Sequence, residues 1–219
     1  MKGAMTYRQW IWGLSNGVFV LALTGLAWAS LGLGVGFHPA ATTVGLTSLF
    51  PLLAVLNLTL FVLLVRAGIR LRRKAGGFRF SDLPRDDPGT RRIVQGFRWV
   101  LLAEVIAVAV VGFLSSRFQQ GDTAWPWIAL VIGVHFLPLA WLFRVSVYYV
   151  TGVASSVVAL LAIAILEEPP RMLVLGYGMG LIAWCSCAYL AWNAERMAQR
   201  FSEHTAATGH AAQQRIGGT

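Results

Sequence analysis

The chain has 219 residues, of which 57% are apolar and only 12% charged, and its formal net charge is +9. With a mean hydropathy of +0.64, these values exclude an ordinary soluble domain of this length, in which about a quarter of residues are charged. The basic excess does not read as nucleic-acid binding either, because it is concentrated beside apolar runs and no recognition motif accompanies it.

Six apolar runs follow one another: Ile11 to Leu31, Val44 to Val65, Ile93 to Leu114, Trp125 to Arg144, Val145 to Leu166 and Met172 to Trp192. Each is near the ~20 residues a helix needs to cross a ~30 Å hydrocarbon layer. None shows the apolar/polar alternation of a barrel strand, so helices must satisfy the backbone internally. The expected fold is an all-α, polytopic transmembrane bundle of about six helices. Residues 1–193 form a single membrane domain, and 194–219 a tail that starts with helix formers and ends in Gly, Gln and Thr without order.

The first run imitates a secretory signal, with Lys2, an apolar middle and the small residues Ala27 to Ala29. It continues apolar to Phe37, longer than a signal core, so a retained first helix is expected. Between runs two and three, Arg66 to Arg98 holds ten basic residues against Asp82, Asp86 and Asp87. Basic residues stay on the cytoplasmic side, which places this connection, 66–92, and both termini in the cytoplasm. Arg66, Arg70, Arg72, Arg73 and Lys74 prolong helix two toward lipid headgroups until Gly76-Gly77 stops it. Membrane lipids with anionic headgroups are the expected partner of these five residues. Asp87 as N-cap and Pro88 at the first helical position restart helix three.

Aromatic residues mark the spans. Trp10, Trp12, Trp125, Trp127, Tyr148, Tyr149 and Trp192 stand near helix ends and read as an interfacial belt. Arg98 and Arg144, also near helix ends, should snorkel to the same face.

Ionisable groups at membrane depth cost ~2.5 to 3.5 kcal/mol at a helix centre, so each is a candidate functional residue. Glu104 is near the middle of helix three and His135 near the middle of helix four. A short connection makes these helices antiparallel neighbours, so carboxyl and imidazole share a depth. Pro138 has no amide hydrogen, frees the carbonyl of Val134 and is placed to form a local polar pocket with His135. Asn57, midway along helix two, is the best further candidate, ahead of Thr151, Ser155 and Ser156. Such polar groups also serve simply as glue between helices, at ~0.6 kcal/mol on average.

Several other chemistries lack support. Gly13 to Gly17 matches G-x-S-x-G, but opens a membrane helix where a nucleophile elbow needs a strand-to-helix turn. Cys185 and Cys187 project about 200° apart on a helix and cannot share a metal. Only His135 among the four histidines is deep, which disfavours haem, and no zinc spacing is present. Neither a metal nor any other cofactor is expected. Gly13 with Gly17, and Gly176 with Gly180, give G-x-x-x-G spacings that allow close helix approach, within the chain or between chains.

The stretches HFLPLAWLF (His135 to Phe143) and YYVTG (Tyr148 to Gly152) resemble a motif, H-F-x-P-L-A, of small bacterial multi-helix membrane proteins without an assigned activity. The resemblance is confined to helices four and five and leaves out Glu104. It implies a bacterial cytoplasmic (inner) membrane and a shared structural feature containing His135, Pro138 and Gly152. Taken together, the sequence supports a transporter-like or channel-like protein for a small solute or proton, with a midplane polar site. The alternative is a non-catalytic scaffold or complex subunit that binds a second copy or another membrane protein. An enzyme is disfavoured.

Overall fold

In the computed structural model the described residues are 7–36, 49–76, 88–118, 121–164 and 170–216. Six helices account for nearly all of them: α1 (Tyr7–Gly36), α2 (Phe50–Lys74), α3 (Pro88–Arg117), α4 (Gly121–Phe143), α5 (Val147–Ala164) and α6 (Pro170–Ile216). All six contain a stretch long and apolar enough to span a membrane, with mean hydropathy between 1.6 and 2.3. The expected all-α bundle is therefore the fold.

Helix ends follow local chemistry. α2 has a proline in its first turn and three cations, Arg72, Arg73 and Lys74, in its last, where the helix dipole is negative. It stops where Gly76 takes φ 65°, with Gly76 N–H donating to Arg73 O at 3.1 Å. Pro88 opens α3 as expected; its proposed cap Asp87, like His38, lies outside the described residues. α6 continues as helix to Ile216, through the stretch whose composition suggests an end without order.

α1 and α6 are the axis of the bundle. α2 packs on both, α5 packs on α6 and α4, and α3 touches the rest mainly through α4. The largest core cluster draws Ile11, Leu14, Val18 and Leu21 from α1, Leu71 from α2, Phe136 and Leu139 from α4, and Leu190 from α6. Lipid offers no hydrophobic drive between helices, so close packing must hold them, and glycines make it possible. A Cβ on Gly176 would lie 2.5 Å from Gly32 N and 2.6 Å from Gly32 Cα, so the two backbones touch where α6 crosses α1. One turn on, a Cβ on Gly180 would meet Ala29 Cβ at 3.1 Å, and Gly17 sits against the Tyr148 hydroxyl and Leu190. Both glycine spacings are thus occupied within the chain, except Gly13, which has nothing within 4 Å.

The aromatic belt needs one correction. Trp125, Trp127, Tyr149 and Trp192 are exposed, but Tyr148 is buried in the core cluster, its ring 5.8 Å from that of Phe136. Neighbours on a helix project about 100° apart, so Tyr149 faces outward while Tyr148 turns into the core. Charge is strongly one-sided. Of the twelve Lys and Arg with described side chains, only Arg117 and Arg171 are at the end away from the α2–α3 connection.

Candidate functional site

α3 has no buried residue, yet its exposure is patterned. Ile93, Gly96, Val100, Glu104, Ala107, Val111 and Ser115 are half-buried at spacings of three and four, and of the positions that flank them only Val94 and Val108 are also half-buried. That stripe faces α4, and Glu104 is its one ionisable member. The antiparallel register is visible in two contacts: Gly96 against Leu142, and the Phe97 ring 6.0 Å from that of Phe143. Continuing along α3 in this register, Glu104 comes opposite His135.

The two side chains meet, His135 Nδ1 lying 3.6 Å from Glu104 Oε1, with 17% and 19% of each side chain exposed. Glu104 is thirteen residues before Arg117 and His135 fourteen after Gly121. At 1.5 Å per residue both are therefore ~20 Å from the same end of the bundle, at mid-depth. His135 Nδ1 is also 2.9 Å from Ile132 O. A carbonyl only accepts, so Nδ1 carries a hydrogen, and in the neutral ring Nε2 holds the lone pair. The imidazole is fixed in one tautomer by its own helix, with the carboxyl beside the committed nitrogen.

The other candidates fall elsewhere. Pro138 is exposed, on an outward stripe with Val134 and Trp141, so the carbonyl deprived of its amide partner belongs to an exposed residue. Asn57 is buried on the side of α2 that faces α1, where Nδ2 donates to Ser30 Oγ at 3.4 Å and Oδ1 has no hydrogen-bond partner among the described residues. α2 packs on α1 and α6, away from the α3–α4 pair. Arg66, Arg70, Arg72, Arg73 and Lys74 are all exposed at the end of α2, while Leu71 among them and Ala75 just after them are fully buried.

What supports His135 from behind is a close crossing of α4 and α5. A Cβ on Gly133 would fall 2.7 Å from Ser156 Oγ, and one on Gly152 would fall 2.9 Å from Gly133 O. Ser156 is tied to its own helix, donating to Gly152 O at 2.8 Å. Beyond it, Thr151 donates to Val147 O at 2.9 Å and is 2.6 Å from Ser186 Oγ on α6. With the threonine hydrogen spent on the carbonyl, Ser186 donates across the seam. Thr151 is a weaker candidate than Asn57 by sequence, yet it makes the better-formed interhelical bond. The signal for it in the sequence is its neighbour Gly152, which lets the helices approach.

The cysteines diverge as helical geometry requires: Cys185 is exposed, whereas Cys187 is buried and its Sγ lies 3.2 Å from Val18 O. Among the described residues no three His, Cys, Asp or Glu side chains come together. Glu104 and His135 alone supply two ligands, fewer than the three or four of a zinc site.

Six helices, each long and apolar enough to cross a membrane, define a multi-pass membrane protein. The model of a family of unknown function, DUF7010, matches residues 98–193, from early α3 to α6, a region that contains Glu104 and His135. No curated protein and no solved structure matches the chain.

Proposed function

We propose that this protein is transporter-like or channel-like, passing a proton or a small solute, with Glu104 and His135 as its working group. The observation that carries the reading is the 3.6 Å approach of Nδ1 to Oε1 at mid-depth. A pair of this kind can hold one proton without net charge in the membrane. Neutral imidazole beside a protonated carboxyl, or imidazolium beside a carboxylate, is neutral in sum, and only the emptied pair is negative. A proton arriving at Nε2 makes Nδ1–H part of an imidazolium facing Oε1, and the carboxylate compensates it. The same negative empty site would take a small cation and exclude an anion.

The test is proton flux into proteoliposomes under an imposed potential, read with an internal pH dye. Glu104→Gln and His135→Ala should each reduce flux at least tenfold. A pair that serves only as glue would leave flux unchanged and lower thermal stability instead. A thermal-shift screen against ions, amino acids and sugars at pH 5 and pH 8 then identifies any solute, since a ligand at 100 times its Kd stabilises by about 2.7 kcal/mol.

One observation favours the scaffold reading as a second choice: α3 has no buried residue, and Trp99, Val105, Ile106 and Phe113 leave its outer face available to another membrane protein or a second copy. Under either reading the basic end faces the cytoplasm of a bacterial inner membrane, with the α2 arginines against anionic headgroups.

A further inference from the structure

The α3–α4 seam differs on the two sides of Glu104 and His135. Toward the basic end it is interlocked. A Cβ on Gly96 would lie 2.8 Å from Leu142 Cδ1 and 3.3 Å from Cδ2, so the Leu142 isobutyl group occupies the space that the glycine leaves. The rings of Phe97 and Phe143, 6.0 Å apart, flank this contact. Gly96 is eight residues from Glu104, so the closure stands about 12 Å from the polar pair. Val100 fills the turn between them and packs against the core cluster that includes Phe136 and Leu139 of α4.

Away from the basic end, the half-buried stripe of α3 continues with Ala107, Val111 and Ser115. In the antiparallel register set by Gly96 with Leu142 and by Glu104 with His135, these come level with Ile132, Ile128 and Ala124 of α4. The seam therefore ends in a serine and an alanine there, and in two phenylalanines at the other end. Among the described residues of α3, only Val100 packs against a core cluster, so the helix is held more closely on the basic side of the pair. Charge has the same asymmetry. The far end carries Arg117 and Arg171 against Asp122, Glu167 and Glu168, whereas Arg66 to Arg98 brings ten basic residues to the other. A cation is drawn to the first end and repelled by the second.

We propose that Glu104 and His135 are reached from the end away from the α2–α3 connection, and that Leu142 seated on Gly96 is the gate that closes the seam toward the basic end. This rests on the reading of the pair as the working group and gives that group a side. A proton or small cation loads from the far end and passes to the basic end when Leu142 leaves Gly96. A leucine side chain moves between staggered rotamers, so the gate opens without parting the two helices.

The experiment uses the full chain with Cys185→Ala and takes silver ion as a small, membrane-impermeant probe of thiols. Silver is applied to one face of sealed membrane vesicles, and the thiols left free are counted by mass spectrometry after denaturation and reaction with N-ethylmaleimide. Val100→Cys and Ala107→Cys place single thiols about one turn on either side of the pair and leave it intact, while Arg73→Cys and Ser116→Cys mark the two faces. Ala107→Cys should lose its free thiol only to silver on the far face. Val100→Cys should keep its thiol against silver on the basic face, and lose it there once Leu142→Ala is added. Ser116→Cys should keep its sidedness with Leu142→Ala, which separates an opened gate from an unfolded chain. The proposal is overturned if Ala107→Cys reacts from the basic face or from neither, if Val100→Cys reacts from the basic face without Leu142→Ala, or if Leu142→Ala leaves it protected. Sided labelling with unchanged flux in Glu104→Gln would refute the working role of the pair alone, and reduced flux with labelling from the basic face would refute the gate alone.

Discussion

Replacing Gly176 by alanine probes the α1–α6 crossing on which the bundle is built. The added Cβ would fall 2.5 Å from Gly32 N and 2.8 Å from Trp28 O, whereas ordinary Cβ contacts begin at 3.4 Å. Both obstructing atoms are backbone, so no rotamer change relieves them and the helices must part by about 1 Å, a gap that forfeits a quarter to a half of each contact well along the seam. Overpacking of this kind costs ~1 to 3 kcal/mol, and the better helix propensity of alanine returns only ~0.5 to 1 kcal/mol. Gly176→Ala should therefore be less stable by about 1 to 2 kcal/mol. Gly112→Ala is the control, because nothing lies within 4 Å of its Cβ position on the outer face of α3; it should be neutral or more stable by up to ~1 kcal/mol. Equilibrium unfolding in mixed micelles with increasing dodecyl sulfate, followed by circular dichroism, measures both. Equal stability of the two variants would mean that α1 and α6 do not approach backbone to backbone, and would refute the glycine-mediated packing of the two helices.

Two further outcomes are expected. In a double-mutant cycle of Thr151→Val and Ser186→Ala, the 2.6 Å hydroxyl contact should give a coupling energy of ~0.6 to 1.7 kcal/mol by the same unfolding measurement, the range found for interhelical hydrogen bonds in membranes; zero coupling would separate the two side chains. N-ethylmaleimide in detergent should modify one cysteine per chain by mass spectrometry, and Cys185→Ala should abolish that modification, because Cys185 is exposed and Cys187 is fully buried.

The candidate site is partly legible in the sequence. Glu104 and His135 are recognisable because charge in an apolar run is conspicuous, and their shared depth follows from counting residues along two antiparallel helices joined by a short connection. Pro138 and Asn57 depart from the expected site for a common reason. Position along a helix sets depth, but the direction in which the side chain points depends on where the neighbouring helices stand. Pro138 faces outward and Asn57 faces Ser30, because α4 turns its other side to α3 and α5, and α2 packs on α1. Tyr148 shows the same limit, being at the expected depth but turned into the core.

By itself, the amino-acid sequence determined the membrane class, the six spans, the extension of α2 through its arginines and the one-sided charge. These depend on hydropathy and connectivity summed over many residues, and water, lipid and the backbone's need for hydrogen bonds enforce them without reference to any partner helix. The tertiary structure alone decided which helices touch, that Gly32 and Gly176 let α1 and α6 meet, that Thr151 bonds Ser186, and that an arginine, Arg144 at φ 55°, occupies the left-handed turn between α4 and α5. Each of these is a choice of rotation and pairing among helices that are almost uniformly apolar. In lipid, where one apolar face is as well solvated as another, only close packing of particular small residues and a few polar contacts can make that choice.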